Sequence, residues 1–255
     1  MTTALPHIRS FGFSCRDAET LAGFYESHLG FRRGATHTIN GGPYAELIGL
    51  GGSQLRLISL HLGAETLELT QVQQLGPGLR PGRPIPTDSR SCDLWFQHIC
   101  VVVDGMERAA TPLQQAVAAG ALRPISSSPQ TLPDWNRGAA GIQAYKLHDP
   151  EGHCLELLQF PPDKGDARWH AGAGSSGSTT GAEGSETSTG GSPFLGIDHS
   201  AIANADTARS CAFYEQLLGL RLGGDGVNSG IEQDRLDGLS GTEVHITAHR
   251  CPSGP

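Results

Sequence analysis

Apolar and polar residues alternate at strand period in IRSFGFSC (8–15) and DHSAIANA (198–205), and between them the apolar run of FQHICVVVDG (96–105) also begins a strand. Each run leads into a stretch of helical spacing. The helices after the first and third runs carry FYESHLG and FYEQLLG and stop at Gly30 and Gly219, the residue type that most easily ends a helix in the left-handed conformation. The helix after the second run is MERAATPLQQAVAAG (106–120). Short strands separated by Gly-rich turns follow, so each copy reads as a βαβββ unit.

The first and third units repeat each other. Setting FYESHLGFRRG (24–34) against FYEQLLGLRLG (213–223) pairs Phe24 with Phe213, Tyr25 with Tyr214, Glu26 with Glu215 and Gly30 with Gly219 at a constant offset of 189. Without a gap, the same offset pairs Leu47 with Leu236, Gly52 with Gly241 and Leu57 with Ile246. The middle unit is a weaker copy that ends in the hairpin pattern GIQAYKLHDPEGHCLELLQF (141–160). Its register rests on one spacing. Ser10 precedes Glu68 by 58 residues and His98 precedes Glu156 by 58, both glutamates lying in an LEL triplet. From His199 the same spacing reaches position 257, beyond the 255 residues present, so the third unit is expected to lack its last strand.

Side chains two apart on a strand share a face. His98, Cys100 and Val102 therefore point one way, as do Ser10, Gly12 and Ser14, and His199, Ala201 and Ala203. The opposite faces, Phe11, Phe13 and Cys15 or Ile99, Val101 and Val103, suit packing against a helix. One face packs and the other surrounds a cavity. A histidine and two glutamates aimed into a cavity are costly to bury unless a cation or hydrogen bonds compensate them.

Residues 171–192 are almost wholly Ala, Gly, Ser and Thr and offer no large apolar residue to bury, which predicts a flexible linker. The expected division is 5–165 for the first two units (about 5–75 and 94–165), 166–193 for the Gly/Ser-rich linker, and 194–255 for the incomplete third unit. The formal charge of −8 has no basic cluster and no acidic tail, which speaks against nucleic acid or an anionic membrane surface as partner and leaves small molecules as the default. No apolar run approaches the roughly 20 residues of a membrane span, and MTTALPHIRSFGF lacks signal-peptide character; a cytoplasmic location is expected. The six cysteines show no CxxC spacing and read as reduced, structural thiols.

HIRSFGFSCRDAETLAGFYESHLGF and GIDHSAIANADTARSCAFYEQLLGL resemble the first-strand and helix signatures of the vicinal oxygen chelate superfamily, which includes glyoxalases, extradiol dioxygenases and bleomycin-resistance proteins. HDPEGHCLELLQF resembles its closing hairpin. The resemblance implies an α+β fold in which the first two βαβββ modules pair into an open eight-stranded barrel-like sheet around a divalent metal, followed by the incomplete third module. It implies ligands at Ser10, Glu68, His98 and Glu156. Three of these can bind metal; Ser10, where the family usually has His, departs from the pattern. One imidazole and two carboxylates suit Mn, Mg, Ni, Zn, Co or Fe without choosing among them.

Bland readings stand beside these. His98 and Glu156 also suit an ordinary hydrogen-bonded pair, and Glu68 a solvated position on an edge strand. His199 holds a ligand position in a module without its last strand. Trp135, Asn136 and Tyr145 are candidates, with Ser10, for the substrate pocket or alternatively aromatic and polar anchors of the hairpin. Glu68 or Glu156 could act as catalytic base if its pKa were raised toward neutrality in a partly dry pocket. Three functions follow: a glyoxalase-like metal-dependent lyase or isomerase; an extradiol-type dioxygenase with an iron site in the C-terminal modules, which wants two His and one carboxylate; and a nonenzymatic drug-binding protein of bleomycin-resistance type, which predicts no metal. The unmatched edge of the third module predicts either a fourth module in a longer chain or a homodimer.

Overall fold

The computed structural model describes residues 7–170 and 191–252. Strand β1 (Phe11–Cys15) leads into α1 (Ala18–Leu29), β2 (Arg32–Asn40), the short α2 (Gly42–Leu47), β3 (Gln54–Leu62) and β4 (Glu65–Gln74). Next come β5 (Gln97–Val103), α3 (Met106–Ala118), the two-residue strands β6 (Arg123–Pro124) and β7 (Gln130–Thr131), and the hairpin β8 (Gln143–His148) with β9 (Cys154–Gln159). A 3-10 turn at Ala167–Trp169 precedes β10 (Phe194–Ile202), α4 (Thr207–Ala212), a π-helical turn at Phe213–Leu217, β11 (Arg221–Ser229), α5 (Ile231–Asp237) and β12 (Glu243–Arg250). The fold is mixed α+β, and none of its sheets closes.

Local chemistry sets the repeated helix. The Asp17 carboxylate accepts from the Glu19 and Thr20 amides and caps α1, while Gly30 ends it at φ 70, a value that costs an L side chain energy but glycine nothing. Gly219 closes the copy of this helix at φ 72. Between the caps α1 buries Leu21, Ala22, Phe24, Tyr25 and Leu29 against the sheet.

The expected eight-stranded sheet from the first two units is not how the strands pair. The first unit forms its own four-stranded sheet, β1-β4-β3-β2, in which β1 and β4 run parallel. The second forms β5-β9-β8-β6, and the edge of β5 is taken by β10 of the third unit, antiparallel. Burial explains the arrangement. The helix-bearing faces of the first two units merge into one core, in which Phe13, Leu21, Tyr25 and Leu69 pack with Ile99, Val101, Leu113 and Leu157. Polar contacts at the DPEGH turn reinforce it: Glu151 accepts from the Arg16 and Asp17 amides, Asp149 from the Tyr25 hydroxyl at 3.2 Å, and the His153 ring stacks on Phe13 at 4.4 Å. The second unit's other face is thereby left to the third.

The consequence shows in burial patterns. In β4 buried Leu67 and Leu69 alternate with half-buried neighbours, as on a sheet covered on one side, whereas β9 is buried on both faces from Cys154 to Leu158. Of the expected linker, 171–190 lies outside the described residues. Its first part is folded: Trp169 is buried and its indole N–H donates to Asp198 at 3.1 Å. Among the described residues no helix is long and apolar enough to cross a membrane.

Candidate metal centre

One rung of the six-stranded sheet carries most of the site. Strand pairing places His199 of β10 opposite Cys100 of β5, Cys100 beside Glu156 of β9, and Glu156 opposite Lys146 of β8. Side chains opposite one another share a face, so all four project to the same side. His98 lies two residues before Cys100 on that face. His98 Nε2 is 3.2 Å from Glu156 Oε2, and His199 Nε2 is 3.5 Å from the same oxygen. His98, Glu156 and His199 each offer a ligand atom within 4.8 Å of the others.

The polar groups around this trio set its charge. Burial alone would raise the Glu156 carboxyl; the Lys146 ammonium, 3.8 Å from Oε1, and the protonated His199 outweigh it and hold the carboxyl well below its ordinary range. Burial disfavours the charged form of Lys146 as well, but Glu156 and Asp237, the latter at 2.7 Å, keep it protonated. His98 differs, because burial outweighs its carboxylate neighbour and lowers its pKa, leaving a neutral imidazole. Both ring nitrogens are buried; Nδ1 has no hydrogen-bond partner, and Nε2 has only the off-angle Glu156 carboxylate at 3.2 Å. An unpartnered buried polar atom costs roughly 1–3 kcal/mol, so such a ring is an unusual feature to retain.

His199 is oriented from behind. Its Nδ1 donates to Asp198 Oδ2 at 2.9 Å, and Asp198 Oδ1 accepts from buried Trp169, which leaves Nε2 to face Glu156. An irregularity in the β10 ladder between Ile197 and His199 lets these neighbours act together. Burial opposes protonation of His199, but hydrogen bonds to the Asp198 and Glu156 carboxylates outweigh it and raise its pKa above the ordinary value. Cys100 itself is pushed up to about 12 by burial and is a neutral thiol. Apolar Leu132, Ile142, Leu158 and Leu236 pack around Cys100 and close this face.

The sequence-predicted residues are only partly brought together. His98 and Glu156 meet, and His199 joins them. Glu68 does not: its Oε2 accepts from the Ser10 hydroxyl at 2.7 Å, within the first unit's separate sheet, because that unit turns its helix-bearing face to the second. The raised pKa expected for a catalytic Glu156 is reversed, since the sequence reading left Lys146 out. Tyr145 points into the shared core, opposite Lys146 on β8, and cannot line this face. Trp135 is exposed, and Asn136 donates to Asn228 of the third unit at 2.6 Å. His153 bonds Asp149 and the Ser14 carbonyl, in keeping with its place in the turn. Lys146 was legible in principle: it and Glu156 stand symmetrically about the DPEGH turn, so counting outward along the hairpin pairs them. Asp237, in contrast, arrives through the docking of α5 and has no local signal.

No protein-family model matches the sequence, and no curated protein matches it either. Solved structures do. Glyoxalase I from Zea mays is 13% identical, with a TM-score of 0.51 over 94% of this chain and 66% of its own, so the match spans about two thirds of that enzyme. A glyoxalase family protein from Bacillus cereus is 12% identical over 62% of this chain and 96% of its own, at a TM-score of 0.46. A glyoxylase/bleomycin resistance protein/dioxygenase domain from Frankia sp. EAN1pec is 15% identical over 63% and 96%, at 0.37.

Proposed function

We propose, for a chain that carries the vicinal oxygen chelate fold seen in glyoxalase I, a metal-dependent lyase or isomerase whose divalent cation is held by His98, Glu156 and His199 and takes two neighbouring oxygens of a small-molecule substrate. The observation that carries this reading is His98: a neutral, buried imidazole that makes no well-aligned hydrogen bond, its Nε2 3.2 Å from an ionised carboxylate and a second imidazole facing the same oxygen. Two imidazoles and a carboxylate are a ligand set that divalent first-row metals accept. When bound, such a cation would supply Lewis-acid stabilisation of the negative charge that develops on a chelated oxygen.

The chain's own groups do the rest. Lys146, itself held protonated by Asp237, keeps Glu156 ionised, which makes it a permanent ligand and a poor proton acceptor at neutral pH. Asp198 fixes the His199 tautomer with the proton on Nδ1. Leu132, Leu158 and Leu236 exclude water from the back of the rung, which strengthens every charge interaction there. Glu68, held by Ser10, takes no part.

A second reading is favoured by one feature. Two histidines and one carboxylate also form the facial set of non-haem Fe(II) oxygenases, and His199 supplies the second imidazole that the first two units lack. One experiment separates the readings: purified protein is stripped and reloaded with Ni(II), Co(II), Zn(II) or, without oxygen, Fe(II), then assayed for glutathione-hemithioacetal turnover and for oxygen uptake with catechols. Hemithioacetal turnover restored by redox-inert metals supports the lyase or isomerase; oxygen uptake restored by Fe(II) alone supports the dioxygenase. Absence of divalent metal binding would overturn both and leave a binding protein.

A further inference from the structure

The third unit holds another cluster of metal-binding side chains, which shares no residue with the first. Cys211 on α4, Glu215 in the π-helical turn and His249 on β12 each offer a ligand atom within 4.8 Å of the others. The His249 side chain is 8% exposed and its Nε2 lies 3.1 Å from Glu215 Oε1. Cys211 is half-buried and is not in a disulfide.

Comparison with the first unit shows how unusual the cluster is. At the constant offset of 189, Cys211 stands where the first unit has Ala22 and His249 where it has Leu60, both fully buried core residues. Glu215 stands at Glu26, which is taken up in an ion pair with Arg33 at 2.8 Å. The Arg33 position is Leu222 in the third unit, so Glu215 has no such partner and turns to His249. The strand registers agree, with Arg33 opposite Leu60 and Leu222 opposite His249. Three differences between copies thus convert an apolar helix–sheet contact and a surface ion pair into a thiol, a carboxylate and an imidazole around one point. The helix also changes there: α1 is regular through Glu26, whereas its copy becomes π-helical from Phe213 to Leu217, a distortion often found at functional sites.

We propose that Cys211, Glu215 and His249 form a second divalent-metal site, selective for Zn(II), with a fourth position open to water or a small ligand. One thiolate, one imidazole and one carboxylate are ligands of borderline-soft character, which Zn(II) and its reporter Co(II) accept in tetrahedral geometry. This site does not depend on the function proposed above.

Co(II) titration of the full chain tests it, because a cobalt–thiolate bond gives a near-ultraviolet charge-transfer absorption that His and Glu ligands cannot. The expected band saturates at one equivalent of this site, disappears in Cys211→Ser, and persists in Glu156→Gln and in Cys100→Ser. Glu215→Gln, at an exposed side chain that leaves the packing intact, should weaken Co(II) binding at least about tenfold. In the unmodified protein, Zn(II) should protect Cys211 from alkylation and a chelator should restore it. A band that is absent, that survives Cys211→Ser or that vanishes with Cys100→Ser would overturn the proposal, as would alkylation of Cys211 at a rate indifferent to Zn(II).

Discussion

Ser10 with Glu68 and His98 with Glu156 occupy the same two positions of the same repeated unit, 58 residues apart in each case, yet they live in different electrostatic worlds. Glu68 is half-buried on a sheet covered on one side and is satisfied by a hydroxyl at 2.7 Å. Glu156 is 6% exposed on a sheet covered on both sides, where the third unit brings His199 on β10 and Asp237 on α5. The difference teaches that register alone does not make a site here. What makes it is the second layer, which removes water and thereby forces every charge to find a partner.

The largest effect expected from this comparison is on metal binding. His98→Ala and Glu156→Gln should each weaken binding of a divalent cation by more than the roughly 10–100-fold that changes behind the ligands cost, while Glu68→Gln leaves it unchanged, as read by calorimetric titration. Equal loss in all three variants would put the first unit back into the site.

Lys146→Met comes next. It leaves Glu156 and Asp237 as buried carboxylates without their cation, and removal of one partner from a buried ion pair costs on the order of 3–5 kcal/mol. Denaturant unfolding should show this loss, and Arg33→Met, at half-exposed ion pairs with Glu19 and Glu26, should cost no more than about 1 kcal/mol.

The pH dependence is smaller and has two limbs. His199 has a raised pKa in the folded protein, so its contribution to stability without metal is complete below the ordinary value of 6.5 and is lost as pH rises through the raised value. Metal must displace that proton, so affinity should rise across the same window, and Asp198→Asn should lower affinity by about tenfold at its plateau. His148 has the opposite sign: burial depresses it to about 4, so its stability is present above 6.5 and is lost as pH falls toward 4. Melts of metal-free protein from pH 4 to 9 read both limbs.

Smallest is Ser10→Ala, which removes one half-buried hydrogen bond and should cost about 0.5–1.5 kcal/mol with no change in metal binding.

Strand alternation and the internal repeat made the elements, the face shared by His98 and Cys100 and the pairing of His98 with Glu156 legible in the sequence. They could not say which unit covers which. That choice is made by long-range packing, the merged core of Phe13, Tyr25, Ile99 and Leu157 on one side and the β5–β10 edge on the other, and no local pattern encodes it. For this reason Glu68 lies apart from His98 and Glu156, and His199 lies beside them. Tyr145 faces the core for a simpler one: it lies an odd number of residues from Lys146 on the same strand.

The most direct measurement is the anomalous difference density of crystals grown with one equivalent of Mn(II), a metal that carboxylate and imidazole suit and thiolate does not. The expected result is a single strong peak bounded by His98, Glu156 and His199, with Glu68 still on Ser10. A peak ligated by Glu68, or none at the β5–β10 seam, would contradict it.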